Sequence, residues 1–481
     1  MRRRQLLTTF LGLSGAALSL SFPAAARAEQ TAGAVTDLLG REVRLEKMPD
    51  RIVVANYILN FLMTGGSDAL KKVVALPQDG WEATRTGEYK LLTQAFPTIL
   101  SLPSIGGYHD NILNTERILS LRPDVVLVNI AQYRENAQRL AVLERAGVKT
   151  VVLDYHAMKP ENHAASTRIL GKLLGREDAA EAQCRRYEEA LKDLQTRIAA
   201  LPEEKKHRRV YVECGNEGVG RLGNSYNRTI LWGAILAELS AANIAADMKA
   251  PYAPLTREFV IASNPQTILI AGSIWRNAAE ADSMRMGLTV TEDEAQKRLA
   301  GFAARPLFAK TDAYRTGDIW AVDHGSLRTI ADYVFPQFIA KILYPDVFAD
   351  LNPDEEIRTF YRNYLPEVNP DGVYCLRAAA TGAKRSGRDE LPPALPKPNP
   401  SAGRPARRRG GTARPLRAAR PRDGHFRPDG GTRRKGLARR SLGRGRRRRD
   451  SLGASPSDDA HGALCRNVAR TGRLGNPEHH R

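Results

Sequence analysis

The chain has 481 residues, enough for two medium-sized domains, with 42% hydrophobic residues and a formal net charge of +20. Residues 381–481 carry 27 of the 73 Lys and Arg and 8 of the 53 Asp and Glu, which leaves 46 basic and 45 acidic residues in the remainder. The body of the protein is therefore nearly neutral, and its charge gives no reason to expect a nucleic-acid-binding domain.

Residues 1–28 have the pattern of a cleavable signal peptide. Arg2, Arg3 and Arg4 precede an apolar stretch rich in Ser, Thr and Gly, and Ala26-Arg27-Ala28 is typical of a cleavage site. The apolar stretch is too short to span a bilayer, and no later segment predicts a membrane span. General and twin-arginine export both fit. No cysteine lies near the predicted cut, so we expect a periplasmic protein without a lipid anchor.

Residues 29–160 predict an N-terminal α/β lobe. A small hairpin is expected over residues 35–43, followed by strands at 51–56, 72–76, 124–129 and 149–154. These strands are apolar without alternation, which is typical of a parallel sheet covered by helices on both faces.

Residues 161–205 contain a long amphipathic helix, predicted over 176–201, with Ala180, Cys184, Tyr187, Leu191, Leu194 and Ile198 along one side. Residues 206–374 then repeat the α/β pattern, with strands at 209–214, 267–270 and 318–322 and helices at 228–240 and 330–343. The predicted fold is therefore α/β, with two Rossmann-like lobes that contain parallel sheets and are joined by one long helix. Such a connection restricts hinge motion.

Residues 375–481 predict a disordered basic tail rich in Arg, Gly and Pro. The tail has almost no aromatic residues for stacking on bases, so we expect no nucleic-acid partner. Out-of-frame translation of GC-rich DNA would give the same composition. For Cys184 and Cys214, a disulfide and two free thiols both remain open.

The body resembles the periplasmic solute-binding proteins of the iron-siderophore, haem and cobalamin class of ABC importers. The resemblance covers about residues 34–366 and depends on several segments together: VTDLLGREVRL with RIVV, ILNTERILSLRPDVVLV, GVKTVVLDY, LTREFVIASNPQTILIAG and DIWAVD. It implies a monomer that passes a small-molecule metal chelate to an inner-membrane permease with a cytoplasmic ATPase. In that family one glutamate from each lobe docks on the permease, and by motif position these correspond to Glu116 and Glu258.

Ligands of open α/β sheets bind beyond the carboxyl ends of the strands, so the loops that follow the predicted strands supply the candidate ligand residues. They are aromatic, basic or histidine-containing, which suits an anionic metal chelate, most simply a ferric siderophore. The set is Tyr57, Trp81, Tyr108, His109, Tyr133, Tyr155, His156, Asn224, Tyr226, Trp275, Arg276, His324 and Arg328. Molybdate or tungstate, haem, cobalamin and a nickel chelate remain alternatives.

Three of these residues, His109, His156 and His324, are candidates to complete the coordination of a chelated metal, although none has the spacing of a protein metal site. A cofactor-dependent α/β enzyme is the alternative from another functional class. The glycines of residues 218–223 have dinucleotide-type spacing, but no acidic residue closes a plausible ribose site, and phosphate-loop and nucleophile-elbow motifs are absent from the sequence. We therefore expect a binding protein without a cofactor.

Overall fold

A computed structural model describes residues 33–108, 111–275 and 282–379. The predicted signal peptide (1–28), the candidate ligand residues His109 and Arg276, and the tail from residue 380 onward lie outside the described residues.

The N-terminal lobe is built on a parallel sheet with strand order β4-β3-β5-β6. Nearly all of its residues are buried, as the continuous apolar runs predict. An antiparallel hairpin precedes the sheet. The strands are β1 (Gly33–Thr36), β2 (Glu42–Leu45), β3 (Ile52–Val54), β4 (Val73–Ala75), β5 (Val125–Asn129) and β6 (Lys149–Leu153). The helices are α1 (Ile58–Gly65), α2 (Trp81–Thr84), α3 (Thr86–Ala95), α4 (Thr115–Ser120), α5 (Ile130–Glu135) and α6 (Ala137–Arg145).

Two helices, α7 (Pro160–Leu174) and α8 (Glu177–Ala199), connect the lobes. The 23 residues of α8 span about 34 Å. Gln183 Nε2 donates to the Met63 carbonyl oxygen of the N-terminal lobe at 2.7 Å, and Arg186 Nε donates to Glu356 of the C-terminal lobe at 3.1 Å. One helix therefore contacts both lobes, as the sequence predicts, although Leu191 on its predicted apolar face is only partly buried. Cys184 is a buried free thiol.

The C-terminal lobe has a second sheet with order β15-β13-β11-β7-β9, in which only β15 is antiparallel. None of the described helices combines the length and apolarity needed to cross a bilayer. The strands are β7 (Arg209–Cys214), β8 (Asn224–Tyr226), β9 (Ala242–Asn243), β10 (Tyr252–Pro254), β11 (Thr267–Gly272), β12 (Gly287–Leu288), β13 (Ile319–Asp323), β14 (Gly372–Val373) and β15 (Cys375–Arg377). The helices are α9 (Leu231–Glu238), α10 (Arg257–Ser263), α11 (Glu292–Ala303), α12 (Asp312–Thr316), α13 (Val334–Leu343) and α14 (Pro353–Tyr364).

Several predicted boundaries differ from the structure, including the helix predicted at 228–240, which spans Leu231–Glu238. The tail was expected to begin at residue 375, but β15 pairs with the edge of β13, so the fold continues through Arg377. The last predicted helix was expected to begin at residue 330, yet α13 begins at Val334. The Asp332 carboxylate accepts the N–H groups of Arg328 and Thr329 and holds the preceding residues in a turn instead.

A buried ion pair organises the glycine-containing loop after β7. Arg305 Nη1 lies 2.6 Å from Glu213 Oε1, and the two side chains are 5% and 0% exposed. Arg305 Nη2 also donates to the carbonyl oxygens of Gly218 and Arg221, each at 2.7 Å. Tyr211 donates its hydroxyl to the other oxygen of Glu213. The glycine-containing loop therefore directs the carbonyl oxygens of Gly218 and Arg221 toward Arg305.

Replacing Arg305 with Met should lower the free energy of unfolding by about 3–5 kcal/mol, because the Glu213 carboxylate would stay buried without its cation. Urea unfolding measures the change. The matched control is Arg315→Met, since the Arg315 side chain is 70% exposed beside Asp312 and should lose less than about 1 kcal/mol. Equal losses in the two variants would contradict the assignment.

Candidate ligand-binding site

The lobes meet where the carboxyl ends of their strands face each other. Asn60 of α1 donates from Nδ2 to the Arg328 carbonyl oxygen at 3.0 Å, and its Oδ1 accepts the Ile330 N–H at 2.9 Å. On the opposite side of this interface, a Cβ added to Gly87 of α3 would lie 3.0 Å from Ile274. The residues that follow β3 in one lobe and β13 in the other therefore share one narrow cleft.

Arg328 is the most unusual residue of this cleft. It is 9% exposed, and neither Nε nor Nη1 has a hydrogen-bond partner among the described residues. Burial, together with the positive charge of Arg85, lowers the pKa of its guanidinium to about 10, so the group is still a cation at neutral pH. A buried cation with unused donors is costly unless an anion arrives to accept them.

The backbone of Arg328 is also strained. Its φ of 72° lies in the left-handed region, which costs a residue with a Cβ roughly 1–2 kcal/mol. Asp332 accepts its N–H at 2.8 Å, and Asn60 donates to its carbonyl oxygen. Surrounding groups thus hold both sides of the strained residue, an arrangement that is common where strain serves a binding site.

A second arginine enters the cleft from the N-terminal lobe. Arg85 Nη2 donates to the Gly325 carbonyl oxygen of the other lobe at 3.1 Å and lies 3.6 Å from Glu88. Burial opposes the charged form of Arg85, but Glu88 prevails and raises its pKa. Glu88 also accepts hydrogen bonds from Tyr108 and from Trp81 Nε1. The N-terminal wall is therefore a charged and aromatic cluster whose arginine reaches across the cleft.

The C-terminal wall is built around His324. Trp232 Nε1 lies 3.1 Å from His324 Nδ1, and Arg328 Nη2 lies 3.3 Å from Nε2. Indole and guanidinium groups only donate, so each of these contacts brings a donor to an imidazole nitrogen. Tyr226 stacks on the imidazole at 6.2 Å, and Trp275 lies at 6.4 Å.

Tyr57 adds a second buried group without a partner. It is 8% exposed, its φ is 63°, and its hydroxyl has no hydrogen-bond partner among the described residues. Burial, with the nearby Asp154 carboxylate, raises its pKa. A small cavity of about 10 Å³, close to the minimum that holds one water molecule, lies beside it and is lined by Val54, Asn56, Tyr57, Ile58, Leu76, Pro77, Trp81 and Tyr108.

Six of the candidate ligand residues thus come together in the cleft: Tyr57, Tyr108, Tyr226, Trp275, His324 and Arg328. The others are placed differently. Trp81 is fully buried and stacks behind Tyr108 with ring centroids 5.3 Å apart, and Tyr155 is fully buried with its hydroxyl 2.8 Å from Thr167 Oγ1. Tyr133 accepts a hydrogen bond from Arg41 at 2.8 Å on the hairpin side of the lobe.

Asn224 begins β8, and the His156 N–H donates to Asp154 at 2.9 Å in the loop after β6. Within the described residues no group of three His, Cys, Asp or Glu side chains could hold a metal ion by itself. Metal ligation by His156 or His324 stays a prediction for a metal that is already chelated.

Sequence reasoning missed Arg85, Glu88 and Trp232. The search followed the residues directly after each strand, whereas Arg85 and Glu88 lie beyond the short helix α2. Trp232 lies in the first turn of the apolar helix α9, where an aromatic residue indicates a core position. A search for arginines at the ends of the helices that flank the strand ends would have found Arg85.

Glu116 and Glu258 occupy equivalent positions. Asn114 caps α4 by accepting the Arg117 N–H, and Thr256 caps α10 by accepting the Phe259 N–H. Each glutamate is the second residue of its helix and is exposed. The two lobes thus present carboxylates at matching positions. The helix dipole by itself also favours a carboxylate in the first turn of a helix.

A family model for periplasmic binding proteins matches residues 68–324, just over half of the chain. The chain belongs to this family. Members are the ligand-capturing components of ABC importers and are not enzymes, and membership implies a location outside the cytoplasmic membrane. The fold agrees with that of the TroA-like periplasmic binding protein FepB from Veillonella parvula, with a TM-score of 0.67 and 29% identity over 72% of this chain and 99% of that chain.

Two further similarities are more limited. A vitamin B12-binding protein of Salmonella choleraesuis is 29% identical over 164 residues, which are 33% of this chain and about half, 56%, of that protein. The molybdate-bound binding protein MolA of Haemophilus influenzae has a TM-score of 0.52 at 17% identity, over 70% of this chain and 99% of that chain, and shows the fold alone.

Replacing Arg328 with Met should raise the free energy of unfolding by about 1–2 kcal/mol in buffer without a bound anion, because the substitution removes an unpaired buried charge. Urea unfolding of both proteins at neutral pH measures this change in the free energy of unfolding. The same substitution at Arg305, which is paired with Glu213, should lower the free energy of unfolding instead. A destabilised Arg328→Met protein would show that the guanidinium already has a compensating partner.

Proposed function

We propose that this protein captures an anionic metal chelate, most simply a ferric siderophore, between its lobes and delivers it to the permease of an ABC importer. The observation that carries the proposal is the buried Arg328 cation with two unpartnered donor nitrogens. Arg85 lies near enough to lower the Arg328 pKa, so two arginines can share one anionic ligand. Catecholate, hydroxamate and carboxylate oxygens accept well from such forked donors.

The aromatic residues suit the other half of such a ligand. Tyr226, Trp275 and Tyr108 offer flat faces to a chelate, while the Tyr57 hydroxyl supplies a donor or an oxygen ligand. His324 lies between Trp232 and Arg328 and joins the aromatic and basic parts of this wall. The combination supports a ligand that is negatively charged outside and partly apolar.

A compact oxyanion such as molybdate or tungstate is a second candidate. The Arg85 contact with Gly325 and the close approach of Gly87 to Ile274 leave a narrow cleft. A narrow cleft favours a small anion over a haem or a cobalamin. The molybdate-bound MolA has the same fold, which supports this alternative only as a fold precedent.

We further propose that residues 1–28 direct export to the periplasm, that the mature protein is a monomer, and that the folded unit comprises lobes at about 29–160 and 206–377 joined by α7 and α8. Glu116 and Glu258 are the proposed permease contacts. Two equal charges on separate lobes would let the permease sense their relative orientation, and exposed charges also speed encounter.

A ligand panel tests the binding proposal. We expect iron(III) tris-catecholate to quench the fluorescence of Trp232 and Trp275, with haem, cyanocobalamin and molybdate as competitors. Arg328→Ala should weaken binding by about 100-fold, since it removes a desolvated charge contact. Arg228→Ala is the control because that arginine is exposed and pairs with Asp247. The chelate proposal fails if tris-catecholate does not bind, and selective molybdate binding would establish the second candidate.

Charge reversal tests the docking proposal. Glu116→Arg with Glu258→Arg should abolish ligand uptake in cells that depend on this protein, while the affinity of the purified protein stays within about twofold, because neither glutamate lies in the cleft. The control pair is Glu177→Arg with Glu292→Arg, two exposed glutamates that also lie in first helical turns. Normal uptake by the Glu116/Glu258 variant would refute docking through these residues.

A further inference from the structure

A buried histidine lies directly behind the strained loop that carries Arg328. His163 of α7 is 0% exposed, and its Nδ1 lies 3.5 Å from Asp332 Oδ1, while Asp332 is 1% exposed. The other oxygen of Asp332 accepts the N–H groups of Arg328 at 2.8 Å and Thr329 at 3.3 Å. A continuous chain of contacts therefore runs from α7 to the backbone of the ligand arginine.

The geometry fixes the position of one proton of His163. Its Nε2 is 3.0 Å from the Tyr155 carbonyl oxygen, which can only accept, so Nε2 carries a proton. Its Nδ1 faces the Asp332 carboxylate and the Tyr187 hydroxyl, the latter at 3.1 Å. A proton on Nδ1 as well makes the ring an imidazolium and gives the buried carboxylate an opposite charge.

The surrounding groups support this charge state. The titratable groups that face the ring are Asp332 before α13, Tyr187 on α8, and Asp154 and Tyr155 after β6. Burial disfavours the imidazolium, but Asp332 outweighs it and the pKa of His163 is raised.

We propose that His163 and Asp332 are positioning residues for the ligand site: their ion pair holds the Arg328 N–H and keeps the guanidinium directed into the cleft. The link to ligand affinity rests on the proposed function, whereas the structural coupling does not. Neither residue touches the ligand. His163 orients the Asp332 carboxylate, and Asp332 in turn stabilises the left-handed Arg328 backbone.

The coupling predicts a pH dependence with a definite sign. Because the pKa of folded His163 is raised, the ion pair is complete below the ordinary histidine pKa of about 6.5 and is lost as pH rises through the folded pKa. In the ligand-free protein, the amide NMR signals of Arg328 and Thr329 should therefore shift together with the His163 ring signals during a pH titration. In His163→Gln they should not shift over that range.

The second measurement is the affinity of the purified protein for iron(III) tris-catecholate. At a fixed pH near 6, His163→Gln and Asp332→Asn should each weaken iron(III) tris-catecholate binding by about tenfold. In an Arg328→Ala background the same changes should cost less than twofold, because both residues act through Arg328. Leu173→Ala, a buried position on the same helix, controls for destabilisation and should leave affinity unchanged.

The outcomes are separable. Arg328 and Thr329 signals that ignore the His163 titration would overturn the inference, and so would affinity losses that are equal with and without Arg328. If tris-catecholate does not bind at all, the proposed function fails, and the NMR titration of the ligand-free protein still decides whether His163 and Asp332 control the Arg328 loop.

Discussion

The ligand cleft depends on one side-chain amide. Asn60, on the first helix of the N-terminal lobe, bonds to the Arg328 carbonyl oxygen and the Ile330 N–H of the other lobe. Each such bond contributes about 1 kcal/mol when buried, which together is comparable with the roughly 1–2 kcal/mol cost of a left-handed arginine. A contact that joins the lobes thus also fixes the conformation of Arg328, the proposed ligand arginine. Lobe separation and loss of the Arg328 conformation are expected to occur together.

This arrangement limits how the protein can open. Helix α8 contacts both lobes along its length, through Gln183 near its start and through Arg197, which pairs with Asp350 at 2.7 Å, near its end. A wide hinge motion would break these contacts together with the Asn60 pair. At the Arg85 side of the cleft, small displacements break the Arg85–Gly325 hydrogen bond, which is the one that joins the lobes there among the residues that the structure describes. Ligand entry is therefore expected from that side, with little change in the relative positions of Glu116 and Glu258, the proposed permease contacts.

The sequence allowed the two sheets, the long helix and the positions of Glu116 and Glu258 to be predicted, because continuous apolar strands and capped helices are local patterns. It also indicated Arg328, His324 and Tyr57, which directly follow strands or lie close to strand ends. The sequence could not indicate that Trp81 stacks behind Tyr108. An aromatic residue that follows a strand gives the same sequence pattern whether it lines a cleft or packs behind a residue that lines the cleft. Arg85 was missed for the converse reason. Its role arises from a contact with Gly325, 240 residues away, and such contacts leave no periodicity in the sequence.

The two buried arginines of the C-terminal lobe show how one residue type serves stability or binding. Arg305 has a carboxylate and three carbonyl oxygens as partners, so its charge is compensated within the protein. The Arg328 guanidinium has one hydrogen-bond contact among the described residues, to His324 Nε2, and burial and the positive charge of Arg85 lower its pKa. Without an anion, the cleft therefore keeps an uncompensated charge and a strained backbone in place through the rest of the fold. An anionic ligand relieves both the repulsion and the unsatisfied donors, so part of the stability given up by the free protein returns as affinity.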